Sequence, residues 1–246
     1  MSGHVMSDNC CQHHRHHHNL TTDDDNRKKQ QQQLVVIDGL SECQLQQRTL
    51  PDHLAESMDL LIVGINPGYA SAARGHHYAG RGNHFWKCLH LSGLVDKPMT
   101  ATDDYRLIGL NDEETNGNYR IGFTNIVSRT TRGSDCLSKQ EIKTGGQVLR
   151  NKILRFKPTI AVFNGKGIYQ IFSGTTDFKL GLQPNSQSIG STLVYVMPSS
   201  SARCSQWPRI TDKLPFYISL REILDKIHTL NAANTLICDH QWVSLL

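Results

Sequence analysis

No two cysteines in this 246-residue chain stand at C-x-x-C spacing, and the seven present are odd in number and scattered. That argues against a disulfide framework and for a reducing compartment. Long apolar runs are also missing. The longest strongly apolar stretch, Leu60 to Ile65, is strand-sized and falls well short of the roughly 18 residues of a membrane helix. The first residues, MSGHVMSDNCCQHHRHHH, lack the apolar centre of a secretory signal, so export is not expected. Mean hydropathy is −0.42, with 38% hydrophobic and 20% charged residues. Such a chain can pack one core and leave part of itself outside it.

Several catalytic signatures are absent as well. Gly165-Lys166-Gly167 lacks the leading glycine and the hydroxyl of a nucleotide-binding P-loop, and there is no G-x-S-x-G elbow. His76 and His77 are adjacent rather than at metal-ligand spacing. No H-x-E with P-C-x-x-C occurs, which removes zinc deaminases. Ser199 to Ser201 have no acid or base nearby in sequence to activate them.

What is present is an uneven charge. Residues 120–213 carry fourteen Lys/Arg against four acids, a net of +10, within a chain whose net charge is only +4. Residues 95–119 carry six acids against two bases, a net of −4. A basic half suits a polyanion, nucleic acid first, although the same bases could form ordinary solvated helix faces.

Residues 1–33 are low in complexity. They hold six of the 13 histidines, Asp23 to Asp25, Arg27-Lys28-Lys29 and a four-glutamine tract. With few large apolar residues to offset the entropy of ordering, they read as a disordered tail. From about Leu34 four apolar, β-rich runs appear: Leu60–Ile65, Ile121–Val127, Thr159–Phe163 and Leu193–Met197. Helix patterns lie between and after them at His84–Leu94, Ser138–Phe156, Lys166–Phe172 and Asp212–His228, the second opened by a Ser138/Glu141 capping box. Apolar strands alternating with helices predict an α/β domain over 34–228, with a parallel sheet covered on both faces. Residues 95–119 read as an exposed loop, and 229–246 as a C-terminal tail without a clear period.

Each apolar run is followed by small, polar or cationic residues: Asn66-Pro67-Gly68, Ser128 to Thr131, Asn164 to Gly167, and Pro198 to Arg203. In open parallel sheets the ligand crevice lies at the carboxyl ends of the strands, so these four loops would converge there. They contain no Asp, Glu or His. An amide such as Asn66 can hydrogen-bond a water but cannot take its proton at neutral pH. That suits a reaction in which the leaving group departs first and water meets a cation, as in N-glycosidic cleavage through an oxocarbenium-like state.

Five segments closely resemble the thymine-DNA glycosylase family, the mismatch-specific branch of the uracil-DNA glycosylase superfamily. They are GINPG (64–68), GHHYAGRGNHFWKCLHLSGL (75–94), GFTNIVSRTTRGS (122–134), IAVFNGKGIY (160–169) and MPSSSARCSQWPR (197–209). The resemblance runs from about Thr49 to Leu224 in family order. It implies a three-layer α/β/α domain with a short, mostly parallel central sheet. It also implies a monofunctional glycosylase for uracil or thymine opposite guanine and, as in animal members, for 5-formyl- and 5-carboxylcytosine, the step that links the family to DNA demethylation. No metal or organic cofactor is implied. The implied partner is double-stranded DNA carrying a G·U or G·T mismatch or a modified cytosine, followed by base-excision-repair proteins. No membrane is involved, and a nuclear monomer is expected. The other readings left open are a general uracil excision enzyme and a DNA-binding protein without turnover.

Residue by residue, Asn66 resembles the family's water-positioning asparagine, and Thr131 the threonine that helps hold the water. Ile65, His77, Tyr78, Asn83, Asn125 and Asn164 match the pocket that receives the flipped base, and Phe85-Trp86 read as core. In the 197–209 segment, Arg203 resembles the side chain that fills the vacated space. Ala202 and Cys204 would offer backbone groups to the widowed guanine, while Ser199 and Ser201 would hold phosphates. The chain departs from the vertebrate pattern at Ser71, which replaces a small apolar residue near the 5-position of the pyrimidine, and at Ala73, which replaces an aromatic.

Overall fold

The computed structural model describes residues 37–109, 119–184 and 189–232. Five strands form one sheet: β1 (Leu60–Gly64), β2 (Ile121–Asn125), β3 (Ile160–Asn164), β4 (Gly181–Leu182) and β5 (Leu193–Met197). Their order is β2-β1-β3-β5-β4. The four long strands are parallel, and only the two-residue β4 runs antiparallel, along β5.

The strand sequences explain the layers. All five residues of β1, β3 and β5 are buried, as a sheet covered on both faces requires. Side chains alternate between faces. Leu60 and Ile62 enter one core with Phe85, Trp86, Leu89, Tyr217 and Leu224. Leu61 and Val63 enter the other with Ile142, Leu149, Ile153 and Phe163. Helices α3 (Phe85–Leu91) and α6 (Ile210–Ala232) cover the first face, and α4 (Lys139–Phe156) and α5 (Lys166–Ser173) the second. The fold is a three-layer α/β/α arrangement on a short, mostly parallel sheet. Two smaller helices, α1 (Glu42–Gln46) and α2 (Tyr69–Arg74), pack against each other.

Helix α4 opens at Ser138, whose hydroxyl accepts from Glu141 N while Glu141 accepts from Ser138 N. It approaches the end of β2 so closely that a Cβ at Gly145 would sit 2.2 Å from the Ile126 carbonyl oxygen. The β1 and β2 ladder continues past both strand ends, since Ile126 N donates to Gly64 O and Val127 N to Ile65 O.

The acidic stretch 95–119 departs from the exposed loop its composition predicts. Ala101–Ile108 forms a 3₁₀ helix, and Asp104 and Leu107 are buried. Leu107 joins the core beside Phe123, and the Asp104 carboxylate is drawn in by hydrogen bonds described below. Residues 110–118 lie outside the described residues, as do the tail 1–33 and positions 233–246. The last helix extends four residues beyond the expected His228, to Ala232, so 229–232 close α6. Among the described residues no helix is long and apolar enough to cross a membrane.

Candidate active site

The loops that leave β1, β2, β3 and β5 meet at one edge of the sheet. Gly68, at the end of the β1 loop, pairs with Thr131 of the β2 loop in an isolated parallel bridge. Between them lies the Asn66 side chain. Its Nδ2 donates to Thr131 Oγ1 (2.7 Å), to the Arg129 carbonyl (2.9 Å) and to the Pro67 carbonyl (3.2 Å). Thr131 Oγ1 in turn donates to the Gly133 carbonyl (2.8 Å), so toward Asn66 it can only accept. All three neighbours are therefore acceptors, which fixes the orientation of the amide. Oδ1 makes no hydrogen bond with the described residues and is left as an acceptor for a ligand or water.

The β2 loop is itself braced. Arg129, whose carbonyl holds Asn66, forms a two-point ion pair with Glu141 (2.7 and 3.2 Å) and donates to the Cys136 carbonyl (3.0 Å). The Arg129 guanidinium holds the Glu141 carboxyl well below its ordinary range, down to about 2.

The turn 76–78 presents His77 and Tyr78. The His77 side chain points into the protein: it is 2% exposed, stacks on Phe123 with ring centroids 5.2 Å apart, and reaches the Pro51 carbonyl through Nε2 (2.9 Å). Burial lowers its pKa to about 4, so the ring is neutral at physiological pH. Its peptide group is clamped at both ends. Asp104 Oδ2 accepts from His77 N (2.7 Å), and Trp86 Nε1 donates to His77 O (3.2 Å). The His77 ring and both of its backbone polar groups are thus engaged inside the protein, which fixes the turn that carries Tyr78. Tyr78 follows at φ 56°, in the left-handed region, with its ring stacked on Phe85 (4.3 Å). Its buried hydroxyl makes no hydrogen bond of normal geometry among the described residues, and the nearby Asn164 amide offsets part of the burial that raises its pKa.

Asn125 and Tyr78 converge over Gly64. A Cβ there would lie 2.4 Å from Asn125 Oδ1 and 3.3 Å from Tyr78 Oη. Ile65 is half-buried against the α4-side core, and Asn83 Oδ1 accepts from Phe85 N at the start of α3 (2.9 Å). Phe85 and Trp86 are buried, as expected of core residues. A second cleft, lined by Asn125, Ser128 and Arg129 against Glu141, Thr144 and Lys152, opens beside the end of β2.

Asn164 faces the loop after β5. Its Oδ1 accepts from Ser200 N and its Nδ2 donates to Ser200 Oγ, both at 2.9 Å. Asn164 thus ties that loop down through both ends of its amide. Beyond Ser200 the loop turns on its own hydroxyls: Ser199 Oγ accepts from Ser201 N (3.3 Å), and Ser201 Oγ from Arg203 N (3.2 Å). Ala202 and Arg203 are exposed and Cys204 is half-buried. The Ala202 methyl lies 3.2 Å from where a Cβ at Gly82 would stand, so the 80–83 and 199–204 segments form neighbouring walls.

Sequence reasoning missed Asp104, Ser200, His84 and Lys213. Asp104 is hidden in an acidic stretch, and Ser200 in a serine run. Asp104 is fully buried and takes His76 Nδ1 (2.9 Å) besides His77 N, with His53 Nε2 at 3.3 Å. His53, His77 and Asp104 offer ligand atoms within 4.8 Å of one another, but both carboxylate oxygens are already engaged by protein donors. Of the departures from the vertebrate pattern, Ser71 Oγ accepts from Ala79 N (3.3 Å), which ties α2 to the base-side turn. The Ala73 carbonyl accepts from Arg48.

The loops that leave this mostly parallel sheet thus bring amides and hydroxyls together, Asn66 against Thr131 and Asn164 against Ser200, and carry no carboxylate of their own. A sequence profile described as the Uracil DNA glycosylase superfamily matches residues 51–221, and the chain belongs to that superfamily. It is 33% identical over 164 residues to the G/U mismatch-specific uracil DNA glycosylase of Schizosaccharomyces pombe. That match takes in 63% of this chain and 48% of the relative, so the chain spans about half the length of the curated relative it matches. A Methanosarcina acetivorans protein solved by solution NMR aligns at 19% identity and a TM-score of 0.45, over 71% of this chain and 98% of its own.

Proposed function

We propose that this chain is a monofunctional DNA glycosylase that hydrolyses the N-glycosidic bond of uracil opposite guanine, and of thymine in the same context. The observation that carries this reading is the Asn66 amide, whose nitrogen is tied to three acceptors while its oxygen stays free. Oδ1 accepts one hydrogen of a water and so aims the water's lone pair. The amide does not deprotonate that water, so bond cleavage runs ahead of attack and the water meets a sugar already carrying positive charge. Positioning and electrostatics supply the rate.

The target base leaves the stack and enters the space bounded by Ile65, the His77–Tyr78 backbone, Asn83, Asn125 and Asn164. Arg203 takes its place in the duplex, Ala202 and Cys204 meet the unpaired guanine through their backbones, and Ser199 and Ser201 approach phosphates. A mismatched pair costs less to open than a Watson–Crick pair, which supplies part of the selectivity. Exposed Arg132, Lys139, Lys143, Lys166 and Arg209 supply cations for the backbone. On this reading the chain works as a nuclear monomer and starts base-excision repair by leaving an abasic site for downstream proteins. The pocket also accepts 5-formyl- and 5-carboxylcytosine, which would give it a part in DNA demethylation.

The test is a panel of labelled duplexes containing G·U, G·T, G·5-formylcytosine or G·5-carboxylcytosine, treated with alkali after incubation. Strand breakage at each supports the full reading, and breakage at G·U alone restricts the chain to uracil. Binding without breakage on all four overturns catalysis.

A further inference from the structure

The 199–204 loop is held from beneath by three groups. Asn164 takes Ser200 through both its amide ends, and His84 N donates to the Ser200 carbonyl (2.9 Å). The third group is Lys213, in the first turn of α6, whose Nζ donates to the Ser201 carbonyl (2.8 Å) and lies 3.1 Å from His84 Nδ1. Lys213 is 0% exposed, and no carboxylate forms an ion pair with it among the described residues. The ammonium can only donate, so His84 Nδ1 is the acceptor, and burial and the nearby Lys213 lower the pKa of His84.

Burial lowers the pKa of Lys213, and the nearby Cys204, Cys88 and Asp212 offset this only in part, so an ammonium without an ion-pair partner is costly to keep there. An apolar side chain of the same length would fill the space at less cost. The chain instead keeps an ammonium directly under the loop expected to enter the duplex, bonded to the Ser201 carbonyl.

Resting on the glycosylase reading above, we propose that Lys213 is a positioning residue for the DNA-inserting loop. It holds the Ser201 carbonyl from below, which sets the direction of Ser201 and Arg203, and its charge is completed by the phosphodiester that settles on the outer side of the loop. Lys213 touches no DNA. It acts through Ser201, and its effect falls on base extrusion rather than on general affinity.

The experiment compares full-length Lys213→Met and Lys213→Arg with the parent. Readouts are thermal unfolding, anisotropy of an undamaged duplex, fluorescence of 2-aminopurine placed beside the mismatched uracil, and single-turnover excision. Displacing a group by about an ångström can cost 100-fold in rate. Lys213→Met is therefore expected to slow the 2-aminopurine rise and excision by about 10- to 100-fold, with duplex binding little changed and the melting temperature equal to or above that of the parent. Lys213→Arg, which keeps the charge, recovers most of the loss.

A packing role predicts the opposite, because Met fills the same volume. Parent-like extrusion in Lys213→Met overturns the proposal, as does equal impairment of Met and Arg. If Lys213→Met does not fold, Lys213→Gln replaces it as the neutral variant under the same criteria. A parent that binds duplex but neither extrudes nor excises at G·U defeats the glycosylase reading itself. A parent that does both, with variants that match it, defeats only the role of Lys213.

Discussion

Asn66 Nδ2 stands 2.7 Å from Thr131 Oγ1, which joins the loops after β1 and β2 across 65 residues of sequence. The contact aims an uncharged amide, and its value lies in direction rather than in proton affinity. Asn66→Ala is expected to abolish excision while duplex binding stays near the parent value, as for a group acting mainly in the transition state. Thr131→Ala leaves Asn66 two of its three acceptors and should cost less, roughly 10- to 100-fold in the single-turnover rate. Parent-like excision by Asn66→Ala would remove the amide from the mechanism.

Arg203 is exposed, and its backbone N–H is directed by Ser201 Oγ. Arg203→Ala should slow extrusion more at a U·A pair than at a G·U mismatch, because the mismatch opens at less cost and depends less on a plug. Stopped-flow 2-aminopurine fluorescence on matched duplexes measures this. Equal loss on both would rule out a plugging role.

At Gly64, Asn125 and Tyr78 both crowd the backbone of β1. Gly64→Ala would push the Asn125 amide aside, while its distance to Tyr78 Oη is tight but tolerable. The expected result is a folded protein with a melting temperature within a few degrees of the parent and a clear loss of excision, of order tenfold or more. An unchanged excision rate would show that the Asn125 side chain does not contact the base.

Asp104 contributes to the pH dependence of stability, beside Glu141 and the buried His77 ring. Burial works against its charge, but the close His53 ring and hydrogen bonds from the His77 N–H and His76 outweigh burial and hold the carboxyl down at about 2. A carboxyl whose pKa is lower in the folded state adds stability above its ordinary value near 4, and that contribution disappears as pH falls toward 2. The parent should therefore lose stability across this window. Asp104→Asn should be less stable at neutral pH by about 2 kcal/mol and show a flatter acid limb. Thermal melts from pH 7 to pH 2 decide it, and identical acid limbs would place the transition in other carboxyls.

Much of the framework is legible in the sequence because strand and helix periods are local. The four apolar runs form the parallel strands, with two of them ending two residues or fewer before the expected limit at Gly64 and Asn125. The Ser138/Glu141 box opens α4 as its spacing predicts. The two-residue β4 escaped notice because it has no period of its own, and the register of β5 decides it. The 101–108 segment read as solvent-facing because its charges dominate its composition. Only the position of two histidine rings and the His77 amide shows that one of those acids, Asp104, is buried by need.

The residue types of the site were likewise legible, since loops at the carboxyl ends of parallel strands must converge and here they lack any carboxylate or imidazole. Tertiary structure alone decided what each group faces. The His77 ring turns into the core and its N–H and carbonyl are taken by Asp104 and Trp86, Asn164 binds Ser200, and a lysine of α6 lies buried under the Ser201 carbonyl. The physical reason is that backbone periodicity is written in near neighbours. The partner of a buried polar group is whichever donor or acceptor the packed fold brings within about 3 Å, and for these residues that partner stands between 26 and 65 positions away, apart from the twelve that separate Lys213 from Ser201.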